Sequence, residues 1–103
     1  MIVNMTPHDV TVIIDKDLSV VFKSQGRIEL REIIEPADMI DNIPIVRMQF
    51  AADKQIPLYQ EGTYYIVSRI IKDTYPFRKD LLVPAQFERN AHGVIIGCKS
   101  LSI

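Results

Sequence analysis

The sequence predicts a mainly β (α+β) protein, a small, partly open β-barrel or sandwich of about six to seven short strands with one short helix. Three observations predict it. Short apolar runs recur along the 103 residues with turn-forming residues between them. Several runs alternate apolar and polar side chains, the period of a half-buried strand. Only Arg69–Tyr75 follows a residue suited to cap a helix and stops at a proline, Pro76.

The elements follow in order. Met1-Ile2-Val3 opens a strand. Thr6-Pro7-His8-Asp9 interrupts it, because Pro7 has no N–H to give to a ladder. Val10–Ile14 and Leu18–Lys23 flank Asp15-Lys16-Asp17 and read as a hairpin with a three-residue loop. After the polar break at Ser24-Gln25-Gly26, Arg27–Arg31 alternates with Ile28 and Leu30 facing inward. Pro36–Asn42 reads as an acidic connection with a turn of helix at Ala37–Ile40. Val46, Met48 and Phe50 then alternate with Arg47 and Gln49, which gives a strand one apolar face and one polar face.

Ala51–Gly62 is the longest irregular stretch. Thr63–Val67 is a strand of β-branched and aromatic residues. Ser68 caps the helix, its hydroxyl accepting a backbone N–H two or three residues on. Leu81–Val83 is a short strand ending at Pro84, Asn90–Gly93 is a turn, and Val94–Ser100 closes the chain's last strand. No internal repeat or low-complexity segment interrupts this order.

Length and composition narrow the function. One domain over residues 1–103 has a radius of about 13 Å, and 48 % hydrophobic content fills one core. A sizeable pocket is therefore shallow or shared between subunits, and a homo-oligomer is expected. Twelve basic and 13 acidic residues leave a net charge of -1, without the cationic surplus that nucleic-acid binding needs. No signal-peptide pattern and no long apolar run is present, so no membrane is expected and the setting is cytoplasmic. The single cysteine, Cys98, excludes an internal disulfide and reads as a small buried hydrophobe. Asn4-Met5-Thr6 matches a glycosylation triplet, a chance match in a chain that is not secreted.

Metal and cofactor motifs are missing. Two histidines and one cysteine stand far apart, with no HExxH, CxxC or EF-hand spacing. Neither a P-loop nor a dinucleotide-binding glycine pattern occurs. No cofactor and no metal are expected.

The remaining candidates sit at strand ends and loops. His8 is either a ligand contact or a histidine that fixes its own turn, with Pro7 stiffening the chain before it and Thr6 pushed to an extended conformation. Ser68 and Arg69 form either an anion site or an ordinary cap beside a solvated cation. Arg78 is able to hold a phosphate or carboxylate bidentately, and Asp80 either orients His8 or pairs with Arg78. Tyr59, Tyr64 and Tyr65 could stack on a planar ligand or serve the core. Arg47 and Gln49 either line a groove or face water.

Several segments together resemble a group of small phage and bacterial proteins that open on a hydrophobic N-x-T-P-H-x-V stretch. They are Asn4–Val12, Ile43–Arg47, Gly62–Ser68, Arg78–Pro84 and Gly93–Cys98. Ser24–Arg27 departs from that pattern, which has a turn richer in glycine and proline. The resemblance implies a phage or prophage context, hence the host cytoplasm, and no particular mechanism.

The leading expectation is a phage-type protein that binds a small polar or anionic ligand. A nucleotide-derived immune signal is the example, sequestered without catalysis. Thr6, His8, Ser68, Arg69, Arg78 and Asp80 would converge on that ligand. The alternatives are a structural or protein-interaction module of a phage assembly, and a small hydrolase of phosphoester or glycosidic bonds with His8 as base.

Overall fold

The computed structural model describes residues 1–52 and 56–103. Eight strands and one helix are present among them, in the order β1 (Ile2–Asn4), β2 (Val10–Asp15), β3 (Leu18–Phe22), β4 (Leu30–Ile40), β5 (Ile43–Ala52), β6 (Tyr64–Ile66), α1 (Arg69–Thr74), β7 (Leu81–Arg89) and β8 (Ile95–Ser102). Strand and bridge residues make up 56 % of the described residues and the helix 6 %, which makes the fold mainly β as its alternation predicts.

Six strands form one sheet in the spatial order β1-β6-β7-β8-β2-β3, and β4 pairs only with β5. The trio β1, β6 and β7 is parallel, because α1 returns the chain from the end of β6 to the start of β7. The remaining strands join antiparallel at β7–β8 and β2–β3, and parallel at β8–β2. Gly97 permits that last approach. A Cβ there would lie 2.9 Å from the Thr11 carbonyl oxygen, closer than side chains tolerate.

The sheet curls into a half-barrel. The register assigns its faces. Val3, Tyr65 and Leu81 stand opposite one another on one face. There they join Ile28, Ile56, Val67, Ile71 and Val83 in the main core. Asn4, Ile66 and Leu82 form the next row, on the other face. Strand β6 is thus buried on both sides, as the middle strand of a parallel trio should be.

The curl brings the two edge strands together at one point. The Gln25 N–H donates to the Asn4 carbonyl oxygen at 2.8 Å, just beyond the end of β3. The Asn4 side chain, 1 % exposed, donates from Nδ2 to the carbonyl oxygens of Phe22 and His8, each at 2.8 Å. Its Oδ1 accepts the Thr6 N–H at 3.0 Å. The interruption at Thr6–Asp9 is therefore a turn wrapped around Asn4, and the buried amide is fully partnered. In this position Asn4 cannot serve as a glycosylation acceptor.

Several elements differ from the sequence reading. Arg27–Glu29 belong to no strand, and β4 begins at Leu30. Pro36–Ile40 is strand and not a helical connection. It pairs with Ile43–Val46 through a bulge between Pro36 and Asp38, and Asp41-Asn42 turns the chain with φ of 51° and 63°. Positive φ at both central residues is the turn that suits a two-residue hairpin, and Asp and Asn tolerate it. The β2–β3 loop is likewise two residues, Lys16-Asp17, with the extra residue taken up by a bulge at Ile14. Strand β7 runs through Pro84 to Arg89. Its pairing with β6 ends at Leu82, so Pro84 needs to donate to no neighbour on that edge. Ala51–Ala52 belong to β5, and Asp53–Gln55 of the expected irregular stretch lie outside the described residues.

Replacing Asn4 should unpick the closure. Asn4→Ala removes the side-chain partners of the Phe22 carbonyl oxygen and the Thr6 N–H and one of the two at the His8 carbonyl oxygen, so it should cost about 3 kcal/mol in urea unfolding. Asn4→Asp should be no better, since a carboxylate then faces the carbonyl oxygens of His8 and Phe22. An Asp variant as stable as the wild type would contradict this role.

Candidate functional site

A concavity lies beside the Asn4 turn. It is a cleft of about 430 Å³ with three walls. Met5, Thr6 and Pro7 form one, Arg27–Leu30 the second, and Ser68 with Ile71 the third. Its floor is apolar: Ile28 and Ile71 are buried, and Met5 and Leu30 pack against the core. Its rim is charged. Arg27 Nη2 lies 3.3 Å from Glu29 Oε1, and both side chains are at least half exposed.

Local sequence explains each wall. The first is rigid because Pro7 fixes its own φ and the turn is tied at both ends. Ser24 Oγ donates to the Thr6 carbonyl oxygen, and Asp9 Oδ1 accepts the Ser24 N–H at 2.9 Å. That N–H, with the Lys23 ammonium 3.1 Å from Asp9 Oδ2, holds the Asp9 carboxyl below its ordinary pKa. The second wall is the extended chain leading from that tie into β4. The third begins where Ser68 caps α1, its hydroxyl 3.5 Å from the Ile71 N–H.

Of the six residues singled out by sequence, this geometry brings together two. Thr6 and Ser68 both line the cleft. The Thr6 hydroxyl is turned to its own turn, 2.6 Å from Asn4 Oδ1 and 2.9 Å from the His8 carbonyl oxygen. His8 stands one residue past the cleft wall. Its carbonyl is locked by Asn4, and its exposed imidazole hydrogen-bonds no described residue. Arg69 points along the helix surface, 3.6 Å from Asp73 with both side chains mostly exposed.

Arg78 and Asp80 lie elsewhere. Tyr65 pairs with Leu81, so Asp80 marks the start of the parallel strands, whereas Thr6 and Ser68 follow their ends. Three residues of strand put the two levels about 10 Å apart. Arg78 forms a two-pronged pair with Asp80, Nε to Oδ1 at 2.8 Å and Nη2 to Oδ2 at 2.6 Å. Its Nη2 also donates to the Pro57 carbonyl oxygen at 2.7 Å. Asp80 is 1 % exposed. This clasp pins the segment before β6 to the start of β7. Arg78 holds the Asp80 carboxyl below its usual pKa, and the carboxylate raises the pKa of the guanidinium in turn.

Sequence reading missed Arg27 and Glu29 as rim residues and Asn4 as the hub. Arg27 and Glu29 sit in a plain alternating run. Asn4 precedes the proline that breaks a strand, and a polar side chain there was the available clue. Tyr65 serves the core, while Tyr59 and Tyr64 face outward away from the cleft lining. Cys98 is buried, as expected, with Sγ 3.5 Å from the Thr11 carbonyl oxygen. Among the described residues no group of three or more His, Cys, Asp or Glu could hold a metal ion. Nor does any of their helices have the length and apolarity to cross a membrane. No protein family, curated protein or solved structure matches this chain.

The clasp predicts an acid-sensitive contribution to stability. Because folding lowers the Asp80 pKa, the pair contributes fully above the ordinary carboxylate range and less as pH falls through it. Asp80→Asn should lose about 3 kcal/mol at neutral pH, and its deficit against wild type should shrink on acidification towards pH 3. Urea unfolding at both pH values checks this. A deficit that does not change with pH would mean the ion pair is not what Asp80 contributes.

Proposed function

We propose that this chain is a phage-type binding protein that holds a small anionic, nucleotide-like molecule and sequesters it unchanged. A nucleotide-derived immune signal of the host is the ligand class we favour. One observation carries the reading: a preformed cleft with an apolar floor and a cation on its rim, one wall of which is fixed by a buried, fully bonded amide. Its volume falls within the roughly 300–1,000 Å³ of small-molecule sites. The floor of Met5, Ile28, Leu30 and Ile71 suits a flat base, and Arg27 suits a phosphate. A wall already held in place costs little ordering when a ligand enters.

Sequestration is favoured over hydrolysis because the serine and threonine hydroxyls and the cysteine thiol that form hydrogen bonds among the described residues bond backbone groups or amide oxygens and no imidazole or carboxylate. A poised nucleophile needs such a base. The second reading, an interaction module of a phage assembly, has its own support in the uncovered apolar surface of β4 and β5.

Thermal shift against a panel of nucleotides and cyclic nucleotides tests the proposal, with chromatography of the recovered compound. The expected result is a shift with at least one compound, returned intact. Arg27→Ala should then weaken binding about tenfold or more. Glu29→Gln should tighten it by removing a like charge from the rim. His8→Ala should leave it within about twofold, since the imidazole does not line the cleft. Altered compound would point to catalysis, and no shift with any compound would put the interaction module ahead.

A further inference from the structure

We infer that the β4–β5 arm is an assembly surface and that a second copy of this chain covers it. The arm is a two-stranded ribbon about 33 Å long that pairs with no other strand among the described residues. Its register sorts the side chains. Phe50 faces Glu32, Met48 faces Ile34, and Val46 faces Pro36, so one face carries an apolar stripe. That stripe lies open: Ile34 is 56 % exposed, Met48 50 % and Val46 46 %. A lone two-stranded ribbon is marginal in water unless its apolar face packs against something. Among the described residues the foot of this arm does so, where Leu30 meets the core.

The surface area says how much is to be covered. A compact monomer of this mass exposes about 5,900 Å². This chain exposes 7722 Å², an excess of roughly 1,800 Å². Its radius of gyration is 17.2 Å, against the roughly 13 Å of a compact chain. A standard interface takes about 800 Å² from each partner, and permanent ones take more. The excess is therefore what a permanent association would remove.

The body supplies a matching surface. Phe87, Cys98, Val12 and Val20 form one row across β7, β8, β2 and β3. The middle pair is buried, but Phe87 and Val20 at its ends are exposed. One chain thus carries an open apolar stripe on the arm and, on the body, an apolar row whose two ends are uncovered. A two-fold contact that lays each arm on the other copy's body covers both at once, and the same residues serve on each side.

Sedimentation equilibrium at micromolar concentration tests this. The wild type should give a multiple of 11.8 kDa, with a dimer expected. Met48→Glu, on the stripe, should return the mass to one chain, while Gln49→Glu, on the opposite face, should leave it unchanged. A monomeric wild type would overturn the inference. So would a folded Met48→Glu that stays associated. If Met48→Glu does not fold, amide exchange of residues 43–50 in the wild type decides. Protection that rises with protein concentration supports the second copy, and protection that does not change with it rejects it. Ligand binding is read separately on Arg27→Ala, so failure of the assembly leaves the cleft proposal standing.

Discussion

The side chain of Asn4 joins segments that the strand ladders leave apart. Its amide nitrogen reaches the carbonyl oxygens of His8 and Phe22, and its oxygen takes the Thr6 N–H. Its own backbone accepts from Gln25. Burial makes each of these bonds matter, because an amide taken out of water and left unpaired costs more than a bond gains. The turn geometry at Thr6–Asp9, the approach of the sheet's two edges and the path of residues 24–30 are thus set by one residue. Move that amide, and two of the three cleft walls lose their anchor.

The fold divides its labour between two ends. At the ends of the parallel strands the Asn4 turn and Ser68 frame an open, polar-rimmed cleft. At their starts Arg78 and Asp80 form a clasp with no free hydrogen-bonding capacity on the arginine side that faces the chain. The same residue types that bind anions elsewhere here bind each other, since a buried carboxylate requires a partner. The arm is a third, separate device. Among the described residues it meets the core at its foot, through Leu30.

Much of this order is legible in the sequence. The β-branched and aromatic run at Tyr64–Ile66 and the closing strand carry their pattern openly, and Ser68 is where a cap should be. The arm is less legible for a physical reason. Period-two alternation arises when one face is buried within the same chain. The β5 half nevertheless alternates openly at Val46–Phe50; in β4 the bulge between Pro36 and Asp38 breaks the period, so Glu35, Pro36 and Asp38 read as a connection. Pro84 misleads in a related way: it falls where β7 has lost one neighbour, and a proline is harmless on that edge. Within the site, Thr6 and Ser68 are legible as strand-end residues. That Arg78 and Asp80 lie at the other level depends on β6 and β7 being parallel, and parallel pairing is a fact of topology that no local spacing records.

The central claim is that the turn, the sheet closure and the second cleft wall are one cooperative unit held by Asn4. Native-state amide exchange at the N–H groups of Thr6, Ser24 and Gln25 tests it most directly. These donate to Asn4 Oδ1, Asp9 Oδ1 and the Asn4 carbonyl oxygen respectively. One unit predicts the same opening free energy at all three, within about 0.5 kcal/mol, as expected of a contiguous cooperative segment. A Thr6 amide that exchanges freely while Gln25 stays protected to the level of global unfolding would contradict the account.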